Sequence, residues 1–505
     1  MKEGYIKKSE RKNILFLADD CRIPSGIGTM TREIIIGNAH RFNFFQVGAA
    51  IKHPEAGQIF DLSADVNNQV GIDDSCVFVY PFDGYGNPEV VRGLMDKHKI
   101  DAIIHFTDPR YWQWLYGMSA ELRQRVPIIY YHIWDDLPAP HYNKPFYESC
   151  DLLMGISKQS NNIAKMVLGK DNYIDLDGVI SKADVSDPRS KVCYIPHGVN
   201  TSLFYPVPYS DTEAMRVELF GKDHAKDVDF VVFHNNRNIR RKMTSDLILA
   251  FKLLYDRMKP NPSIAVKKDE LHPADKMRLV LHTDAIDNNG TDLHSVIKNV
   301  CPEIEHLVII TNKKVSPQDL NLFYNIADVV PNVASNEGWG LSSTEAMIVG
   351  KPIVNNVTGG LQDQCRFEDE NGKWIDFDDN FGSNHAGRYK KHGQWVAPVF
   401  PSTISIQGSP ITPYIFDDRC DVRDIADALL SWHTAGPDIR KEKGELGRSW
   451  AMSEEAGFTS AWMCQRIGDV ITLLMENWKP LPRFKMYDVT DEINKTKNKP
   501  TGISL

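Results

Sequence analysis

The chain has 505 residues, of which 42% are hydrophobic and 25% are charged, and its formal net charge is -9. This length exceeds a single ordinary core and predicts two domains, while the average composition excludes intrinsic disorder. The mild negative charge gives no electrostatic reason for a polyanionic partner, so nucleic acid is not favoured, although the sequence leaves it open.

The cysteines and the apolar segments indicate the compartment. The eight cysteines form no CxxC pair and have no clustered histidines, which is typical of reduced thiols rather than of a zinc site or a disulfide framework. The N-terminal segment MKEGYIKKSERK is charged, and no run of about 18 apolar residues occurs. We therefore expect a cytoplasmic protein without a membrane-spanning helix and with at most peripheral membrane contact.

The first half of the chain alternates short apolar runs with longer helical stretches. Because these runs are continuous and not alternating, they predict strands that are buried on both faces, as in a parallel sheet covered by helices. This pattern predicts a doubly wound domain. The predicted strands occupy residues 13–18, 43–50, 76–80, 101–106, 127–131 and 152–156.

A Gly- and Pro-containing stretch at 192–206, VCYIPHGVNTSLFYP, predicts a connector, and the alternation restarts after it. We therefore predict an α/β fold with two Rossmann-like domains facing across a cleft, residues 1–200 and 201–458. A helix at 459–478 is expected to close the chain and pack back on the first domain. The second set of predicted strands occupies residues 230–233, 278–282, 307–311, 329–333 and 352–355.

An irregular stretch, residues 367–418, interrupts the second alternation. A stretch of this length is typical of a functional lid or binding loop. A surface excursion with a small β-ribbon explains it equally well, and both interpretations stay open.

The strongest pattern is SNEGWGLSSTEAMIVGKPIVNNVTGG, which follows a predicted strand. Gly338 and Gly340 precede a predicted helix, so backbone N–H groups and the helix dipole would point at an anion. Glu337 and Glu345 stand either side of seven residues. A Glu-x7-Glu spacing alone arises by chance, and its place at a strand-to-helix junction makes it informative.

This passage resembles the retaining GT-B glycosyltransferases of the "group 1" family, which carry a glycine-flanked Glu-x7-Glu. The resemblance extends to a Tyr-containing helix and an Ala-Asp pair within 321–347, and to HNNRNIRRKM, where Arg237 precedes Lys242 as in the family's Arg-x4-Lys pair. It also includes PHGVNTSLFYP, which is similar to the interdomain entry. It implies a GT-B fold whose C-terminal half binds a nucleotide-activated sugar.

The resemblance implies catalytic roles for His132, Glu337, Arg237 and Lys242. The two cations would neutralise the diphosphate leaving group, a task that Mg²⁺ performs in metal-dependent enzymes. The resemblance therefore implies no metal and no cofactor, with the nucleoside diphosphate sugar as donor substrate. The alternative is that NIRRK is an exposed basic helix start.

The two glutamates differ in their implied roles. Glu345 would accept hydrogen bonds from both ribose hydroxyls of the nucleotide, and Glu337 would face the hydroxyls of the donor sugar. Either could instead be an acid that favours a helix N-terminus. The resemblance assigns the remaining donor contacts to Gly26, Gly28, Val315, Gly338, Trp339, Gly340 and Leu341.

Gly26 and Gly28 lie where the first predicted strand turns into a helix. The third glycine of a dinucleotide fingerprint is replaced by Thr31, so a nicotinamide site is not predicted. In the resembling family this loop closes over the diphosphate with a backbone N–H near Gly28.

His132 ends a predicted strand, and the resemblance implies that it contacts the donor sugar. The family commonly has Asp directly after this His, whereas here Ile133 intervenes before Asp135 and Asp136. The carboxylate partner of His132 therefore stays open, and a structural histidine is the alternative reading.

Two further segments invite competing readings. His105 and Asp108 end another strand and are candidates for the acceptor side. The aromatic run at 111–116, YWQWLY, is expected in the core rather than at a membrane interface. Residues 376–378 match an Asp-x-Asp metal motif, but they lie in the irregular stretch, so no metal site is predicted there.

The function predicted from the sequence is transfer of a sugar from a nucleoside diphosphate sugar to an acceptor hydroxyl, on a glycan or glycoconjugate, with retention of configuration. Three alternatives stay open. They are a non-catalytic sugar-nucleotide-binding protein, a GT-B epimerase or phosphorylase, and a glycosyltransferase acting on a modified nucleobase in DNA.

Overall fold

The computed structural model describes residues 4–177, 187–259, 272–312 and 314–482. Within these ranges the chain forms two α/β domains and a hairpin that reaches from the second domain to the first.

The first domain is built on nine strands. They are β1 (Lys12–Asp19), β2 (Phe42–Ala50), β3 (Phe60–Asp61), β4 (Val77–Asp83), β5 (Ala102–Phe106), β6 (Ile128–His132), β7 (Leu152–Gly155), β8 (Tyr173–Asp175) and β9 (Ser190–Tyr194). The helices are α1 (Gly26–Asn38), α2 (Ser63–Val70), α3 (Pro88–His98), α4 (Gln113–Gly117), α5 (Ser119–Leu122), α6 (Lys144–Glu148) and α7 (Lys158–Leu168).

The strand order of this sheet is β3-β4-β2-β1-β5-β6-β7-β9-β8. All neighbouring pairs are parallel except β3 with β4. Successive residues of β1 enter different cores, because Ile14 and Phe16 pack in one cluster while Leu15 and Leu17 pack in another. A strand covered on both faces needs apolar residues at every position, which explains the continuous apolar run in the sequence.

The second domain contains β10 (Phe230–Asn235), β11 (Met277–His282), β12 (Val308–Thr311), β13 (Val330–Asn332), β14 (Ile353–Asn356) and β15 (Val396–Val399). The hairpin consists of β16 (Pro401–Ser409) and β17 (Thr412–Cys420). The helices are α8 (Tyr209–Phe220), α9 (Thr244–Met258), α10 (Leu293–Val300), α11 (Pro317–Ile326), α12 (Leu341–Ile348), α13 (Leu361–Cys365), α14 (Val422–Ala451) and α15 (Ser460–Asn477).

Two parallel ladders, β10-β11-β12 and β13-β14-β15, form the second sheet. A parallel bridge between Val232 and Val329 joins them, so the order is β12-β11-β10-β13-β14-β15. The carboxyl ends of the central strands β10 and β13 therefore lie side by side. In open parallel sheets this is the edge where ligands bind.

The last helix, α15, packs against α1 of the first domain. Cys464 Sγ donates to the carbonyl of Glu33 at 3.3 Å, and Arg41 pairs with Asp469 at 2.7 Å. A Cβ atom built on Gly37 would lie 2.4 Å from Cys464 Sγ, so the close helix approach requires glycine at this position.

The structure differs from the sequence-based prediction at two buried strands. Strand β9 occupies the beginning of the segment that was predicted as a connector, because its residues complete the first sheet between β7 and β8. Strand β15 lies inside the stretch predicted as an irregular insertion, although it is an edge strand of the second sheet. Both strands are short and lack a long apolar run.

All eight cysteines are buried and no disulfide links them. Among the described helices, none combines the length and the apolar character needed to cross a bilayer.

Candidate active site

The centre of the site is a cluster of one acid and two cations at the adjoining ends of β10 and β13. Lys242 ends a short 3-10 turn between β10 and α9, and its Nζ donates to Glu337 Oε2. Arg241 Nη1 donates to the same oxygen at 3.2 Å. Lys242 and Glu337 are only 7% and 9% exposed, so their charges interact at low dielectric.

The three charges shift one another's ionisation. Burial works against the carboxylate of Glu337, but Lys242 and Arg241 outweigh it and lower the pKa of this side chain. Burial, together with Arg241, lowers the pKa of Lys242 to about 8. At neutral pH these three side chains are therefore an ionised acid and two cations.

The glycine-rich loop after β13 holds Glu337 in place. Gly340 begins α12 with φ 89°, and a Cβ atom there would lie 2.5 Å from Leu361 Cδ2. Gly360 donates its N–H to the carbonyl of Glu337 at 2.8 Å, and a Cβ on Gly360 would lie 2.1 Å from the carbonyl oxygen of Gly338. Side chains at these positions would push the loop away from the sheet.

Glu345 lies on α12, eight positions after Glu337 in the sequence. Tyr324 of α11 donates its hydroxyl to Glu345 Oε2, and Asn235 Nδ2 donates to the Tyr324 hydroxyl at 3.1 Å. Burial raises the pKa of Glu345 to about 7, against the effect of the Tyr324 hydrogen bond. These two hydrogen bonds connect Glu345, the second glutamate of the motif, to Asn235 at the end of β10.

The first domain meets this loop directly. A Cβ built on Gly338 would lie 3.2 Å from the carbonyl oxygen of Ile133 and 3.2 Å from Ile156 Cδ1. A Cβ built on Gly26 would lie 3.8 Å from Leu341 Cδ1. The structure thus brings together three residues that the sequence assigned to donor binding, from both domains.

Asp363 joins the domains beside this contact. Its Oδ2 accepts from the backbone N–H of Lys158 and from the hydroxyl of Tyr194, each at 2.9 Å. Burial raises the pKa of Asp363 to about 7. No sequence pattern pointed to this residue.

Two doubly wound domains with a charged, glycine-lined site between them form the architecture of a known class of transferases. The chain has the GT-B fold. Solved structures of this fold align along nearly its whole length. They include Anabaena HepE in complex with UDP and glucose, with 15% identity, a TM-score of 0.57, and coverage of 92% of this chain and 100% of that one. The comparison confirms the resemblance to GT-B glycosyltransferases.

Two other GT-B structures and one curated sequence are also similar. Sucrose-phosphate synthase from Thermosynechococcus elongatus aligns with a TM-score of 0.59 and 16% identity, covering 92% of this chain and 100% of that one. The E. coli trehalose-6-phosphate structure bound with UDP-2-fluoro glucose aligns with a TM-score of 0.54 and 13% identity, covering 91% and 99%.

The curated relative is alpha-monoglucosyldiacylglycerol synthase from Acholeplasma laidlawii. It is 23% identical over 270 residues, which make up 52% of this chain and 59% of the relative. The match thus spans less than two thirds of the relative's length. No protein-family model matches the chain.

The two residues of the predicted Arg-x4-Lys pair have different partners in the structure, because Arg237 pairs with Asp287 and Lys242 pairs with Glu337. Arg237 lies on the surface with 63% of its side chain exposed, where its Nε donates to Asp287 at 2.8 Å. Arg241, which the sequence reading passed over, takes the place beside Lys242 at Glu337. The extended loop after β10 carries Arg237 outward, and the 3-10 turn then directs Arg241 and Lys242 inward.

His132 lies at the carboxyl end of β6, as predicted, but its ring is fully buried. Its Nε2 is 2.6 Å from the Tyr147 hydroxyl, and burial lowers the pKa of His132 to about 3. The imidazole is therefore neutral at physiological pH. A role at the donor sugar stays a prediction.

The remaining residues that the sequence assigned to binding of the donor sugar nucleotide have different surroundings. The N–H of Gly28 donates to Ser25 Oγ at 3.0 Å, which caps α1. Trp339 packs edge-on against Phe458 with ring centroids 4.7 Å apart, and Val315 is partly buried against the core. Their donor contacts stay predictions.

The structure also shows the positions of the aromatic run at 111–116 and of the Asp-x-Asp match at 376–378, for which the sequence offered competing interpretations. Trp112 and Tyr116 of the aromatic run are buried in the core of the first domain, whereas Tyr111, which was also expected in the core, is half exposed. Asp376 pairs with Lys158 and Lys373, each at 2.9 Å. Among the side chains that the structure describes, no group of three or more His, Cys, Asp or Glu is placed to hold a metal ion.

Proposed function

We propose that this protein is a glycosyltransferase that transfers a sugar from a nucleoside diphosphate sugar to an acceptor hydroxyl with retention of configuration. One observation carries the proposal. The buried pair of Lys242 and Glu337, joined by the exposed Arg241, adjoins the glycine-lined start of α12, at the edge of the second sheet that faces the first domain.

The two cations of the cluster suit a diphosphate. As the glycosidic bond breaks, the departing nucleoside diphosphate gains negative charge, which Arg241 and Lys242 would stabilise. The N–H groups at the uncapped start of α12 add donors on the same side. Since the two cations now share Glu337, an arriving phosphate would compete for them and leave Glu337 to accept from sugar hydroxyls.

The cations themselves supply the electrostatic work that a divalent metal does in other transferases. We therefore expect turnover without an added metal. In the proposed displacement, the departing phosphate oxygen takes the proton of the acceptor hydroxyl on the same face of the sugar, and the protein contributes positioning and charge stabilisation.

Glu345 would accept from the ribose hydroxyls of the donor nucleotide. It lies on α12, and the Tyr324 hydroxyl already occupies one of its oxygens. Because ribose contacts are equal in ground and transition states, Glu345→Gln should raise the donor KM more than it lowers kcat.

Structures similar to this chain contain UDP, UDP-glucose or a fluorinated UDP-glucose, so UDP-glucose is the first donor to test. A donor at 100 times its Kd should stabilise the protein by about 2.7 kcal/mol in thermal unfolding. A panel of nucleotide sugars would identify the sugar and the base.

Transfer is then measured as nucleotide release and labelled product, with and without EDTA. The anomeric proton coupling of the product, measured by NMR, reports the stereochemistry. Donor binding without hydrolysis or transfer would favour a non-catalytic binding protein. Loss of turnover in EDTA that Mn²⁺ or Mg²⁺ restores would contradict the role given to the cations.

A further inference from the structure

The hairpin formed by β16 and β17 crosses from the second domain to the first. At its base, the Asp418 N–H donates to the carbonyl of Ser335 at 3.1 Å. Further along β17, the Phe416 N–H donates to the carbonyl of Leu137 in the first domain at 2.6 Å. A single strand thus bonds the glycine-rich loop of one domain to the loop after β6 of the other.

Side chains reinforce this crossing. Asn336, the residue before Glu337, donates to the carbonyl of Phe416 at 2.5 Å and to the carboxylate of Asp136. The Tyr142 hydroxyl donates to the carbonyl of Tyr414 at 2.9 Å, and the Tyr414 hydroxyl donates to Ala139 at 3.1 Å. The position of the hairpin is therefore set by both domains.

The hairpin tip and the first domain enclose a cavity of about 420 Å³, a size typical of small-molecule sites. The first domain contributes the ends of β5 and β6, and the hairpin contributes its turn. The lining residues that matter for recognition are Asp108, Arg110, Trp134, Asp135, Asp136 and Gln407.

Asp135 connects this cavity to the cluster at Glu337. Its Oδ2 lies 4.0 Å from a Cβ built on Gly338. Burial raises the pKa of Asp135 to about 6, while Arg241 opposes the shift and Glu337 adds to it. A molecule in the cavity would thus lie beside the place proposed for the donor sugar.

The polar groups of the cavity suit hydroxyls and oppose anions. Three carboxylates line it, and its one cation among the described lining residues, Arg110, donates to Asp108 and stacks on Trp134 with its guanidinium carbon 4.7 Å from the ring centroid. Carboxylate oxygens accept from hydroxyls, and the remaining guanidinium N–H groups donate to them. Arg110 compensates Asp108, and burial raises the pKa of Asp136 well above its ordinary value, so the negative charge that a phosphate would meet at neutral pH is that of Asp135.

We infer that the hairpin closes the acceptor subsite of this enzyme and that the subsite takes an uncharged, hydroxyl-rich molecule of the neutral sugar class. The inference rests on the proposed glycosyl transfer. Under this inference the hairpin part of residues 367–418 is a binding element, which is one of the two interpretations that the sequence left open.

Glucose and glucose 6-phosphate are suitable probes, because they differ only in the phosphate. Their binding to the protein saturated with UDP can be measured by ligand-observed NMR, and UDP binding itself by calorimetry. We expect glucose to bind roughly tenfold more tightly than glucose 6-phosphate. Weaker binding of glucose than of its phosphate, or binding of neither, would overturn the inference.

A charge placed at the tip sharpens the test. Gln407 is exposed and lines the cavity, so Gln407→Lys should improve binding of glucose 6-phosphate and leave UDP affinity unchanged. Thr403→Lys, at an exposed position of β16 outside the cavity, is the matched control and should change neither. Equal effects of the two substitutions would overturn the assignment of the tip to the cavity.

Replacing residues 407–412 by a two-residue turn provides an independent measurement. The shortened hairpin should lose glucose binding while UDP binding and donor hydrolysis persist, because the cluster at Glu337 is untouched. Full glucose binding by this variant would count against the hairpin. Failure of the intact protein to bind UDP or any nucleotide sugar would instead refute the proposed function itself.

Discussion

Two strand-to-helix junctions face each other across the cleft, and both have the glycine-containing sequence expected of an anion site. At the first-domain junction, Ser25 caps α1 by accepting from the N–H of Gly28 at 3.0 Å. At the second-domain junction, α12 begins at Gly340 without any side-chain cap. At the start of α1 the Ser25 side chain already accepts from one N–H group, whereas at the start of α12 no side chain does so.

The surroundings enlarge this difference. Lys242 and Arg241 pair with Glu337 in the loop before α12, whereas at the first-domain junction Asp19 ends β1 and Asp20 pairs with Arg22 at 2.6 Å. We therefore propose that the phosphates of the donor bind at the second-domain junction. Glycine spacing alone does not identify a phosphate site, because a side-chain cap and nearby charges also determine whether the N–H groups of a helix start can bind an anion.

The largest effect is expected from Lys242→Ala. Removing one charge-assisted contact to phosphate costs about 1.5–3 kcal/mol, which is roughly a 10- to 150-fold loss in kcat/KM. Steady-state kinetics with the donor varied would measure it, and circular dichroism would verify the fold.

Arg237→Ala is the matched control, because the exposed pair of Arg237 with Asp287 is worth about 1 kcal/mol at most. Arg241→Ala should resemble Lys242→Ala. If Arg237→Ala were the more damaging of the two arginine variants, the loop after β10 would have to rearrange on donor binding, and the cluster seen here would not be the phosphate site.

Gly340→Ala should destabilise the protein by about 1–3 kcal/mol, because alanine is strained at φ 89° and its Cβ would clash with Leu361. Urea unfolding measures the loss. Gly26→Ala is the counterpart on the other junction, where a Cβ would lie at the ordinary distance of 3.8 Å from Leu341. It should leave stability unchanged, and equal losses for both variants would contradict the contrast between the junctions.

Ser25→Ala should cost about 1 kcal/mol of stability through loss of the cap on α1. Because this cap is not part of the proposed phosphate site, the donor KM should stay constant. Ser25→Thr retains a capping hydroxyl and should recover most of the stability. A raised donor KM for Ser25→Ala without a loss of stability would place the first junction on the donor.

The smallest effect concerns pH. Burial raises the pKa of Glu345 to about 7, so between its ordinary value and 7 the folded protein holds a proton that the unfolded chain has released. Stability contributed by this group therefore falls as pH rises from about 5 to about 8. In Glu345→Gln the decline of Tm over this range should be shallower.

Asp363 provides the control for that measurement, because burial raises its pKa to about 7 as well. Asp363→Asn should remove its own share of the decline, and the double variant should show the flattest profile. If the Tm of Glu345→Gln declined with pH as steeply as the Tm of the wild-type protein, this result would contradict the raised pKa of Glu345.

The sequence predicted the strands of the two sheets well wherever the apolar runs were continuous, as at β1 and β10. In the two sheets it missed β3, β8, β9 and β15, whose short runs do not stand out locally. It also predicted the glycine turn before α12, because a strand, a glycine turn and a helix form one local structure, while the roles of Glu337 and Lys242 stay predictions.

The choice between Arg237 and Arg241 could not be made from spacing. They are four positions apart, and the side that each faces depends on the 3-10 turn that ends at Lys242 and on Met243, which has a left-handed φ of 54°. Likewise, Asp363 and the hairpin tip reach the site through contacts between distant parts of the chain. Such contacts have no local pattern that periodicity could reveal.

By itself, the sequence determined the two α/β domains, the closing helix and the glycine-flanked glutamates, because hydrophobic period and turn residues act within a few positions of the chain. Only the tertiary structure decided which arginine stands beside Lys242 and what the hairpin covers. These depend on packing between residues about 100 or more positions apart, where burial and charge select among arrangements that are locally equivalent.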